Sequence, residues 1–309
     1  MASFVICMTA TLANPNAGVA LAGSQFASSA GMISSSMRLR LAWIWLGAVC
    51  VPRFAAAQTS MPHDSVHAAK TLFTSRDALL AAGFVGLTVA LFPIDKSVAG
   101  RLQNPNEQAN AFFRNASTDV RMLGDPGTTI IAVSMYGVGR IAKWKNVADF
   151  GLHGLEAIAV AGATTTLLKG FAGRARPFIT ADTNPTDFHF GRGFSKGNYS
   201  SFPSGHTTAA FALASTVTSE SQRWWPHQTW IVGPVTYSVA TLVGLSRMYN
   251  NAHWASDVAL GAAIGTFGGI KIVRYNHGHS GNFIDRFFLG ALVQAGPSGD
   301  ARIGLSLDY

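Results

Sequence analysis

Apolar residues fall into six long segments separated by short polar stretches. The first runs from Ala78 to Phe92, with Ser75 placed to cap its start and Pro93 to stop it. The second opens at Asp125-Pro126, a carboxylate cap followed by proline at the first helical position, and reaches about Ile141. The third covers about Leu152 to Gly170, and the fourth follows His206 and ends near Glu220. The fifth runs from Trp230 to Leu245 and the sixth from Ala255 to about Tyr275. Between the first two, Asn106 to Met122 reads as a shorter, more polar helix. Near the C-terminus, Phe287 to Ala295 and Ala301 to Tyr309 flank a turn-like Gly-Pro-Ser-Gly-Asp, and the last residues alternate apolar and polar. That pattern predicts a β-hairpin. The whole predicts an all-α bundle of six helices with a short C-terminal β-hairpin packed on it.

Composition sharpens the picture. Of 309 residues, 48% are hydrophobic and only 12% charged, with mean hydropathy +0.23. Soluble domains carry about 25% charge, so disorder is excluded and either a large core or a membrane is implied. A span needs about 20 apolar residues in a row. Measured between charges, only Trp224 to Ser246 reaches that length. Most segments are therefore sized as core helices. A soluble or membrane-associated exported bundle is expected, with true spans as the rival. The net charge of +8 is scattered, without the basic stripe of a nucleic-acid binder. The two cysteines, Cys7 and Cys50, provide neither a disulfide framework nor a metal site in the body.

Residues 1–36 lack charge, whereas Met37 opens a leader-like pattern. Arg38 and Arg40 precede an apolar Leu41 to Val51, and Ala55-Ala56-Ala57 resembles a signal cleavage site. The expected organisation is an upstream extension and signal-like leader over 1–57 with a true start at Met37. A helical domain over 58–275 and a tail over 276–309 follow.

Three motifs carry chemistry. Lys169, with Arg176-Pro177 further on, brings an ammonium and a guanidinium to the end of the third segment. The guanidinium can hold phosphate oxygens two at a time, and the ammonium acts as a point charge. Pro203-Ser204-Gly205-His206 stands at the start of the fourth segment, where free N–H groups form an anion site. Ser246-Arg247, His253 and Asp257 join the fifth segment to the sixth, with His253 and Asp257 expected four apart on one helix face. Each motif alone is also explained by helix capping. Up-down connectivity, however, brings all three to one end of the bundle. His277-Gly278-His279 is a possible metal pair, read here as a solvated loop.

Together these motifs resemble the phosphatidic acid phosphatase type 2 (PAP2)/haloperoxidase superfamily. The resemblance spans about residues 75–275 and holds at Lys169, Arg176, Pro177, Pro203, Ser204, Gly205, His206, Ser246, Arg247, His253 and Asp257. It implies a PAP2-type bundle and a metal-independent phosphatase acting on a phosphate monoester or diphosphate, either a lipid phosphate or a small soluble one. It further implies His253 as the nucleophile that forms a phosphohistidine, with Asp257 orienting it. His206 becomes the general acid and base. Lys169, Arg176, Ser204, Gly205 and Arg247 hold the phosphoryl group. No cofactor and no nucleic-acid partner are expected, and localisation is expected to be periplasmic or membrane-associated, with integral membrane as the alternative. Two other functions stay open: a vanadium-dependent haloperoxidase, in which the same pocket would hold vanadate, and a catalytically silent phosphate- or lipid-binding protein.

Overall fold

The computed structural model describes residues 8–9, 73–279, 282–295 and 301–305. Apart from Met8 and Thr9, the leader and the expected start at Met37 lie outside the described residues. By contacts the chain divides into a large unit holding residues 69–292 and a small one holding 5–68 and 293–304.

The described residues form ten α-helices, not six. They are α1 (Ser75–Leu91), α2 (Asp95–Leu102), the five-residue α3 (Pro105–Ala109), α4 (Ala111–Arg121), α5 (Gly127–Ile141), α6 (Lys145–Ala172), α7 (Gly205–Trp224), α8 (Thr229–Tyr249), α9 (Ala255–Gly278) and α10 (Phe283–Gly290). No strand occurs among residues 73–290, so this body is all-α. The expected lone hairpin packed on a six-helix bundle is not found. The extended segments β2 (Ala291–Ala295) and β3 (Ala301–Leu305) instead belong to a small three-stranded sheet completed by β1 (Met8–Thr9). The sheet order is β1-β3-β2, with Met8 opposite Ile303 in an antiparallel pair. A turn signal in the sequence shows two neighbouring extended segments but cannot show a third strand some 290 residues away.

Helix starts follow local chemistry. Thr74, not Ser75, caps α1: Asp77, three residues on, accepts the Thr74 N–H at 2.7 Å and its hydroxyl at 2.8 Å. Lys271 and Arg274 of α9 bind the same carboxylate at 2.5 and 2.8 Å, tying α1 to α9. At the other end of α6, Gly173 takes a left-handed conformation (φ 58°), and a side chain there would strike the His189 carbonyl.

The central contact is α7 against α9. Gly261, Gly265 and Gly269, four apart on α9, face the backbone of the stretch from Ser204 to Thr216. A Cβ on any of them would collide with that backbone, so the glycines set how closely the helices approach. α6 packs on both, and α5 packs on α6.

Several helices are longer than the distance between charges suggested. α6 starts at Lys145, not near Leu152, and runs 28 residues, because Asp149 and His153 turn inward and are buried. Four helical stretches are long and apolar enough to cross a membrane: Ser75–Leu102, α6, α8 and α9, with mean hydropathy between 1.2 and 1.9. Their flanks expose large apolar side chains, such as Leu79 (75% exposed) and Trp230 (74%), and on α5 Ile141 (86%). Apolar surface of this kind, on helices of this length, supports association with a membrane.

Candidate active site

The end of α6, the start of α7, the end of α8 and the start of α9 converge on a cavity of about 280 Å³. Its wall includes Lys169, Arg176, Gly205, His206, Arg247 and His253. Asp125 and Ser200 share that wall, and Ile158, Gly162 and Ala209 give it an apolar side. From Lys169 to Ile158 the lining follows α6 for about 16 Å, at about 1.5 Å of rise per residue.

Each cation is aimed by its backbone. Lys169, in the last turn of α6, donates to the Ser200 carbonyl at 2.7 Å. Arg176 is extended ahead of Pro177, and its guanidinium donates to the Gly197 carbonyl at 3.1 Å and the Ser200 hydroxyl at 3.3 Å. Burial lowers the Arg176 pKa from its ordinary value. Arg247, in the last turn of α8, is only 6% exposed, yet its Nε and Nη1 have no hydrogen-bond partner among the described residues. Buried guanidinium donors are costly to leave unpaired, so this wall is built for an acceptor that comes from outside.

His206 sits in the first turn of α7, directly after Gly205, and not ahead of the helix. Burial and the nearby Arg247, Arg121, Lys169 and Arg176 charges push its pKa down to about 4. His253 is buried ahead of α9, and its Nδ1 lies 2.8 Å from the Ser201 carbonyl. A carbonyl can only accept, so Nδ1 carries the proton and Nε2 keeps its lone pair. Burial, with a smaller contribution from Lys169 and Arg176, lowers the His253 pKa to about 3, although Asp257 opposes the shift.

The expected His253–Asp257 pair on one helix face is replaced by a cap. His253 precedes the first helical residue, and Asp257 is the third residue of α9, accepting the Trp254 N–H at 2.9 Å. The two side chains are 3.5 Å apart, longer than a hydrogen bond. The Asp257 carboxylate is held chiefly by Arg174 at 2.5 Å and the Ser201 hydroxyl at 2.5 Å. Ser204 also stands behind the wall: it directly precedes α7, is fully buried, and its hydroxyl accepts from the Thr207 hydroxyl at 2.8 Å.

Arg174 is the residue that the sequence reading missed. Fully buried, it donates to Asp95 (2.8 Å), the Ser256 hydroxyl (2.7 Å), Asp257 and the Pro185 carbonyl. Phe92, Phe188, Phe202 and Trp254 enclose its guanidinium, with ring centres within 5.7 Å. In sequence it is one more basic residue between Lys169 and Arg176. Its burial appears only once Asp95, 79 positions earlier, packs against it.

Comparison with known proteins agrees with this geometry. The PAP2 superfamily model matches residues 150–279, which hold every cation and histidine on the wall. This segment is a PAP2 superfamily domain. It is 41% identical over 133 residues to a lipid A 1-phosphatase of Porphyromonas gingivalis, a match covering 43% of this chain and 25% of that protein. A probable diacylglycerol pyrophosphate phosphatase 1 of Schizosaccharomyces pombe is 29% identical over 160 residues, covering 43% of this chain and 56% of that one. The chain thus spans from a quarter to about half the length of these curated relatives. A crystal structure of a transmembrane PAP2 type phosphatidylglycerolphosphate phosphatase from Bacillus subtilis shares the fold. It has TM-score 0.51 and 20% identity, covering 66% of this chain and 97% of that one.

Proposed function

We propose that the PAP2 domain is a membrane-embedded phosphatase that removes phosphate from a lipid phosphate monoester or diphosphate by way of a phosphohistidine. One observation carries the reading: the two partnerless donors of Arg247, on a wall shared with Lys169, Arg176 and both histidines. The names of the curated relatives, the apolar side of the cavity along α6 and the exposed apolar flanks favour a lipid.

Lys169, Arg176 and Arg247, with the free N–H groups at the start of α7, hold the phosphoryl oxygens and their growing charge. Nε2 of His253 attacks phosphorus while Nδ1 keeps its proton and goes on donating it to the Ser201 carbonyl. The P–O bond to the leaving group breaks, and that oxygen takes a proton from His206. His206, now neutral, accepts a proton from the water that attacks the phosphohistidine. Phosphate departs and His206 is protonated again. In the free protein burial and the surrounding cations keep His206 neutral, so the proton must be stabilised by the arriving phosphate.

Rapid quenching with radiolabelled substrate tests the proposal. The expected result is an alkali-stable, acid-labile label on the protein, lost in His253→Ala together with turnover. Turnover by His253→Ala near the wild-type rate overturns it.

A further inference from the structure

At the end of the bundle away from the cavity, α6, α7 and α9 bury a second constellation, made of His153, Glu220 and His277. One ligand atom from each lies within 4.8 Å of the other two. His153 is 1% exposed and Glu220 fully buried. The Glu220 carboxylate sits between two imidazole nitrogens, 2.6 Å from His153 Nδ1 and 2.9 and 3.0 Å from His277 Nε2. The imidazole rings stand at 90° with centres 5.3 Å apart. His277, expected in a solvated loop, is instead in the last turn of α9 and points inward.

The outer contacts resemble those around bound metal ions. Nε2 of His153, the nitrogen not aimed at Glu220, meets Asp285 of α10 at 3.3 Å. Asn282 in turn holds that carboxylate, donating to its Oδ2 at 2.9 Å and accepting the Asp285 N–H at 2.9 Å. A carboxylate on the far nitrogen of a histidine fixes the ring and raises its basicity as a ligand. Close by, Glu156 accepts from Asn276 at 2.6 Å while its other oxygen is buried without a partner among the described residues.

We infer that His153 Nδ1, His277 Nε2 and Glu220 bind one divalent transition-metal ion of the Zn2+ class that clamps α6, α7 and α9 together. Two imidazoles and a carboxylate suit such an ion, and a tetrahedral site leaves a fourth position for water. The contacts of Glu220 to the two imidazoles are hydrogen-bond lengths, so the carboxylate draws back from both rings to admit the ion. The ion replaces the protons now shared among them. Along α6 the site is about 24 Å from Lys169, at about 1.5 Å per residue, so it takes no part in phosphate chemistry.

The experiment uses the full chain, purified in detergent without a histidine tag and stripped with EDTA. Co2+ is added as a spectroscopic probe and Zn2+ as a stabiliser. One equivalent of Co2+ should give the strong visible bands of a tetrahedral nitrogen–oxygen site. Saturating Zn2+ should raise the Tm by roughly 5 °C. His277→Ala should lose both responses and keep wild-type phosphatase turnover at low temperature. Absence of the cobalt spectrum, or a Tm indifferent to Zn2+, overturns the inference and leaves a histidine–carboxylate ion-pair network. The wild-type titration decides the matter even if the variant fails to fold.

Discussion

At the scale of single residues, the proposed nucleophile is held by a peptide group. The Ser201 carbonyl fixes the tautomer of His253, and Asp257 lies one step further out, bonded to the Ser201 hydroxyl and to Arg174. Asp257→Asn should therefore reduce stability and turnover together. It breaks a buried pair with Arg174, a loss of about 3–5 kcal/mol. Turnover and Tm measured on one preparation check this; a fall in turnover alone would restore Asp257 to direct contact with His253. The depressed histidine pKa values give a second expectation. His206 and His253 stay neutral in the folded protein down to about pH 4 and 3, whereas in the unfolded chain each takes a proton near pH 6.5. The unfolded state thus binds more protons below pH 6.5, so their contribution is complete above that pH. It is lost on acidification towards pH 4, by up to about 1.4 kcal/mol per pH unit for each group. Thermal unfolding across that range checks the sign. Vanadate, as a phosphate mimic, should raise the His206 pKa, read by NMR titration; no change would remove His206 from contact with the anion. Lys169, Arg176, Gly205, His206, Arg247 and His253 were legible in the sequence, because three short motifs at helix ends can meet in one place. Arg174, Asp95 and the Ser201 carbonyl were not. Their roles depend on long-range packing and on a main-chain atom that has no residue code.

At the scale of elements, the positions of the long helices were legible and their lengths were not. Apolar runs mark the outward surface, but α6 carries Asp149, His153 and Glu156 within its first four turns. Charges that turn towards partners inside the bundle end an apolar count without ending the helix. The contact between α7 and α9 depends on three glycines that sequence periodicity treats as neutral. Gly265→Val should force the two backbones apart and cost about 1–3 kcal/mol or more. Since α7 carries His206 and α9 follows His253, turnover should fall as well. A variant with unchanged Tm would show that the interface can repack.

At the scale of the whole molecule, the described helices between residues 73 and 290 carry exposed apolar flanks and two polar clusters, one near each end. The protein should stay with membranes through alkaline carbonate washing and require detergent for release; recovery of active protein in the wash would oppose spanning helices. Leader and tail resist reading for a different reason: the leader falls outside the described residues, and the tail pairs with a strand far away in sequence. One feature links the two halves of the chain in time as well as in space. A growing chain emits Asp95 long before Arg174, and Asp257 later still. At 5–20 residues per second, the wait from Asp95 to Arg174 is about 4–16 s. During it, a carboxylate destined for a fully buried position lacks the counter-charge that it has in the folded protein. Arg174, once made, faces two carboxylates and completes the set only when α9 arrives. The junction that buries Asp95 is therefore complete only once α9 has been made, although Asp95 is synthesised first. A fragment limited to residues 150–279 would leave half of that junction open.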